Sequence, residues 1–167
     1  MKGKTQRGFL IIEALIAILI FSLGILGLIA MGSTAVGAQS DARFRTDAAA
    51  LADEIAGLMA VTAGRSTAPL YGAPDTTLQL SLAAFAHQTT GVASAAGCNF
   101  GGGAGNALVT NWANGVVAGP RRLPGATLAN QQILVNTAAF NQVTITLCWQ
   151  GPNDQAMRRH TLVTYIN

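Results

Sequence analysis

The chain is 167 residues long, with 50% hydrophobic residues, 10% charged residues and a formal net charge of +3. Lys2, Lys4 and Arg7 hold three of the ten basic residues, and the rest of the chain sets seven arginines against seven acids. The pI of about 9.3 is therefore mostly a property of the N-terminus, which removes net charge as an argument for a polyanion partner.

From Gly8 to Met31 the run GFLIIEALIAILIFSLGILGLIAM carries a single charge, Glu13. An apolar helix of this length matches the roughly 20 residues that cross a bilayer at about 1.5 Å of rise per residue. A carboxylate in hydrocarbon costs about 3 kcal/mol or more unless it is paired, neutralised or near the interface. Glu13 therefore calls for a partner.

A basic leader ending in Gly8, then Phe9, then an apolar helix with Glu13 at the fifth position after that glycine, resembles the class III signal of type IV pilins and type II secretion pseudopilins. The resemblance implies that a membrane prepilin peptidase, facing the cytoplasm, removes residues 1–8 by cutting between Gly8 and Phe9. It also implies that the new Phe9 amine is methylated, and that Glu13 neutralises the Phe9 amine of a neighbouring subunit as the helix leaves the bilayer for a filament. The chemistry of the leader agrees with this order. Gly8 offers a cut site without a side chain, and the cationic tract stays in the cytoplasm under the positive-inside rule, which places the rest of the chain outside. A conventional secretory signal is cut after its apolar run and loses it, whereas this site precedes the run and retains it.

Beyond the membrane segment the helical pattern turns amphipathic. Ala48, Leu51, Ala52, Ile55, Leu58 and Met59 recur at spacings of three and four, interrupted by Arg43, Asp47, Asp53 and Glu54. One helix over 9–63 is predicted, about 80 Å long, with 9–31 as the transmembrane part. Gly24, Gly27, Gly32 and Gly37 punctuate its apolar half, where glycine permits close helix packing in lipid. Gly64 is the expected C-cap, and Pro69 marks the stop. The head, 64–167, is expected as one small domain of roughly 100 residues.

Within the head, 65–105 is rich in Gly, Ala, Ser and Thr and is predicted as loop, apart from 77–87, which suits a short helix or a strand, with helix preferred. A second helix is predicted over 106–119, with Leu108, Trp112 and Val116 on one face and Trp112 as core packing. GGGAG at 101–105 lacks the strand, lysine and helix of a phosphate-binding loop and is taken as a flexible loop. Strands follow at 132–135, 142–150 and 158–166, with turn formers Gly151, Pro152, Asn153 and Asp154 between the last two. The predicted fold class is α+β: a pilin-like long N-terminal helix packed against a small antiparallel sheet. Outside the cytoplasm, Cys98 and Cys148 read as one disulfide closing about 50 residues, worth around 4 kcal/mol.

LGILGLIAM at 23–31, ALADEIAGLM at 50–59, the Trp112 helix leading to LPGA at 123–126, and the closing pair VTITLCWQ and RRHTLVTYI are similar to PilV-type minor pilins. That resemblance implies a low-abundance structural subunit that primes type IV pilus assembly with other minor pilins and the major pilin, on an inner-membrane assembly platform. The head would face the periplasm before assembly and lie at the pilus tip afterwards, supporting adhesion and twitching motility. Two alternatives share the N-terminal logic, a minor pseudopilin of a type II secretion system and a DNA-binding or adhesive tip pilin. The second would use the basic doublets Arg121 with Arg122 and Arg158 with Arg159, and Trp112 or Trp149 for stacking; solvated doublets and core tryptophans are preferred, so a nucleic-acid partner is not expected. No enzyme, cofactor or metal site is expected, since neither a nucleophile with a base nor a ligand cluster is spaced for chemistry, and His87 and His160 are taken as surface or packing residues.

Overall fold

The computed structural model describes residues 7–67, 72–94, 97–103, 105–152 and 154–167. Lys2 and Lys4 of the leader, Pro69 at the expected helix stop and Asn153 of the expected turn lie outside these residues. The chain divides into two compact units, one ending at Ala42 and one running from Arg43 to Asn167.

Helix α1 spans Arg7–Thr62. In its first unit no side chain from Leu10 to Ser40 is buried. Two hydroxyls there turn back on the helix, Ser22 Oγ donating to the Ile18 carbonyl at 2.7 Å and Thr34 Oγ1 to the Ala30 carbonyl at 3.1 Å. Such back-bonding removes the hydroxyls as unsatisfied polar groups in an apolar surrounding.

The second unit is a mixed α+β body in which the end of α1 packs on a small antiparallel sheet. Ala48, Leu51, Ala52, Ile55, Met59 and Ala63 are buried, following the stripe of three- and four-residue spacings that a core-facing helix needs. The sheet has the order β3–β4–β5, built from β3 (Gln131–Asn136), β4 (Gln142–Trp149) and β5 (Arg158–Tyr165). Alternation places Val143, Ile145, Leu147 and Trp149 of β4 in the core with Ile133 of β3. Helix α3 (Ala107–Ala118) buries Val109, Trp112, Ala113 and Val116, and its Trp112 indole N–H donates to the Leu51 carbonyl at 2.9 Å. Trp112 is therefore a core residue.

The region 64–105 departs from expectation in three places. Helix α2 covers only Thr76–Ala83, because the chain turns at Ala84 and the His87 backbone pairs with Ile133, accepting at 2.9 Å and donating at 3.0 Å. A hairpin of two short strands, β1 (Ala93–Ser94) and β2 (Gly97–Cys98), stands where loop was expected. Gly64 is not a left-handed cap; its N–H donates to Ser81 Oγ at 2.9 Å, which ties the helix end to α2. Asp75 begins α2 as an N-cap: Oδ1 accepts from the N–H groups of Thr77 at 3.0 Å and Leu78 at 3.1 Å, and Oδ2 from Ser66 at 2.8 Å. These bonds, Ser66 foremost, hold its carboxyl below the usual range.

His87 is more than a packing residue. It is 3% exposed, with Nδ1 3.3 Å from the Gly105 N–H and Nε2 3.3 Å from the Leu128 carbonyl. A ring that accepts at Nδ1 and donates at Nε2 is the neutral tautomer. Burial lowers its pKa from the ordinary 6.5, against a smaller opposing effect of the Leu128 carbonyl. The unfolded chain thus binds this proton more readily, so the contribution of His87 is fully present above pH 6.5 and is lost as the pH falls below it. Between pH 6.5 and the carboxylate range, where Asp75 and Asp154 take over, denaturant titrations should show a slope of at most about 1.4 kcal/mol per pH unit that is absent in His87→Gln. A flat profile in the parent protein would remove this role.

Candidate functional site

The exposed first unit of α1 carries the chemistry singled out at the N-terminus. Gly8 and Phe9 lie within the first turns of the helix, and Glu13 stands one helical turn beyond Phe9 on an exposed surface. Beyond Glu13 no charged residue occurs until Asp41. The large apolar side chains from Leu10 to Met31 are open on every side of the helix, the least exposed being Ile25 at 41%. A water-soluble helix hides at least one apolar stripe, and this stretch hides none. It is long and apolar enough to cross a membrane. A Cβ added at Gly24, Gly27, Gly32 or Gly37 would meet no heavy atom within 4 Å, apart from the local helix backbone, so these glycines serve no contact inside the chain among the described residues.

Charge returns along α1 where burial begins. Arg43 Nε lies 3.6 Å from Asp47 Oδ2, one turn on, and Ala48 opens the buried stripe. The sequence therefore changes from the all-round apolar run that ends at Met31 to a one-sided amphipathic helix at Ala48 over about five turns.

Cys98 and Cys148 form a disulfide, with Cα atoms 6.3 Å apart. Cys148 occupies the sheet face opposite the main core, and the bridge fixes the β1–β2 hairpin over that face, beside Phe100, Ala93 and Met157. Gln131 braces the same point: its Nε2 donates to the Cys148 carbonyl at 3.0 Å and its Oε1 accepts from the Cys148 N–H at 3.3 Å.

The two arginine doublets sit on different elements and are partly neutralised. Arg121 Nη2 is 4.0 Å from Glu54 Oε2, and Arg158 Nη2 is 2.8 Å from Asp154 Oδ1, which holds the Asp154 carboxyl low. Arg122 is exposed, and Arg159 Nη1 donates to the Ala93 carbonyl at 3.1 Å. Trp112 and Trp149 are 6% and 1% exposed, so neither offers a face on which a base could stack. Among the described residues no group of three or more His, Cys, Asp or Glu side chains is gathered to hold a metal.

The Asp75 cap and the His87 pairing were missed at the sequence level. The first had a signal, since an aspartate after Pro74 and before Thr76 fits an N-cap; the second had none, because its partner Ile133 is remote in sequence. Comparison of the chain with protein-family models, with curated proteins and with solved structures returns no match.

Proposed function

We propose that this chain is a minor pilin of the PilV type, a structural subunit that is stored in the bacterial inner membrane by its N-terminal helix and primes type IV pilus assembly. The observation that carries the reading is a helix with apolar side chains exposed all round, holding one carboxylate at Glu13, directly behind Gly8 and Phe9. A helix without a partner face suits lipid first and a bundle of like helices later, and bare glycines suit close approach in that bundle. In this reading prepilin peptidase cuts after Gly8, Phe9 carries the methylated amine, and Glu13 sets the register against a neighbour. Other minor pilins, the major pilin and the inner-membrane platform are the partners. The disulfide-bonded head lies in the periplasm and then at the filament tip, and adhesion and twitching motility depend on the filament it starts.

Mass spectrometry of the protein from its native membrane tests the reading. The expected N-terminus is N-methylated Phe9, and in Gly8→Trp only the full precursor, larger by residues 1–8, should appear on a gel. An intact leader in the parent protein, or normal processing of Gly8→Trp, would overturn the assignment.

A further inference from the structure

The three-stranded sheet has one free border. β3 is partly covered by its pairing with His87, whereas β5 pairs only with β4 among the described residues. The phase of the β5 ladder follows from two contacts. The Ile166 N–H donates to the Asn141 carbonyl at 3.3 Å, and the Cys148 N–H and carbonyl turn to Gln131 of β3. Even-numbered residues of β5 therefore bond to β4, and the N–H and C=O groups of Arg159, Thr161, Val163 and Tyr165 point outward. Among the described residues no hydrogen bond to these backbone groups is seen, and Val163 and Tyr165 are 50% and 55% exposed.

Sheet edges that stay single are usually blunted by proline, a bulge or charge. RRHTLVTY has neither proline nor a residue at positive φ, and Thr161–Tyr165 has no charge. The one charge at the start of the edge without a carboxylate is Arg159: Arg158 is held by Asp154, whereas the Arg159 guanidinium meets only the neutral Ala93 carbonyl among the described residues. We propose that this edge accepts an extended segment of a partner protein as a fourth strand, with an Asp or Glu of that segment seated on Arg159. Backbone bonds to Thr161, Val163 and Tyr165 supply affinity, and the charge pair supplies polarity and register. The pairing surface belongs to the Arg43–Asn167 unit and is independent of the N-terminal processing, so the two proposals fail separately.

The test uses the full chain in detergent micelles and a synthetic eight-residue peptide of alternating Thr and Val with one Glu near its end, read by amide hydrogen exchange. Peptide should slow exchange at Thr161, Val163 and Tyr165 by about ten-fold or more. Val163→Pro removes an outward donor that β4 does not use and should abolish the protection at Thr161 and Tyr165. Arg159→Glu, which leaves the ladder untouched, should lose the Glu peptide and gain the version carrying Lys instead. Slow exchange at these amides in the monomeric parent alone would overturn the proposal, as would protection that rises with protein concentration and so marks a second copy as occupant. Equal binding of the Glu and Lys peptides would overturn it too.

Discussion

Glu13→Ala is expected to yield a protein that inserts and is processed, yet enters filaments roughly a hundred-fold less well than the parent. The two halves of that expectation have opposite signs. In the bilayer the carboxylate is a cost of about 3 kcal/mol, so its removal favours storage in lipid. In the proposed bundle the neighbouring Phe9 amine would be left without its counter-charge in an apolar surrounding, and breaking such a pair from one side costs about 3 kcal/mol or more, enough by itself for the hundred-fold loss. Glu13→Gln separates charge from shape: it keeps the length and hydrogen-bonding capacity of the side chain and should lose incorporation nearly as fully. Incorporation is measured by quantifying the chain in sheared filaments against its level in the inner membrane. Normal piliation with unchanged capture of the other subunits in Glu13→Ala would sink the register role while leaving the leader assignment intact.

Elements governed by local pattern were legible, and those governed by remote pairing were not. The helix expected over 9–63 is Arg7–Thr62, and the strands expected at 142–150 and 158–166 are Gln142–Trp149 and Arg158–Tyr165. Each has a period of 3.6 or 2 sustained over several residues, which few alternatives satisfy. The helix at 106–119 appears as Ala107–Ala118 with Trp112 inward, for the same reason. The Cys98–Cys148 link was legible, whereas the β1–β2 hairpin it anchors was not, because strands of two residues are too short to show a period of 2. The helix expected over 77–87 ends at Ala83, since nothing in LAAFAH announces that His87 leaves the helix to pair with Ile133. At the N-terminus the residues themselves were plain in the sequence, while the free edge of β5 required the ladder phase and could be read only from the folded chain.

Replacing both Cys98 and Cys148 with Ser should destabilise the head by about 4 kcal/mol and lower its melting temperature by roughly 15 °C. The bridge spans a sequence separation of 50, enclosing α3, β3 and most of β4, so in the chain-entropy model it removes a large share of the freedom of the unfolded head. Its native-state role is local and adds to that. Among the described residues the β1–β2 pairs Ala93↔Cys98 and Ser94↔Gly97 are continued by a single further bridge, Thr90↔Gly101, too little pairing to persist alone, and the hairpin covers the buried Cys148 and Phe100. Without the link the hairpin should open and expose that face of β4, while Trp149 on the opposite face keeps its place until the whole head melts. Two observables separate the events: amide exchange at Gly97 and Cys98 reports the hairpin, and near-ultraviolet circular dichroism of Trp112 and Trp149 reports the core. Reductant added to the parent protein should reproduce both changes and do nothing further to the double-serine variant. A melting temperature shifted by less than about 3 °C would mean that the unfolded head is already compact enough for the link to constrain little.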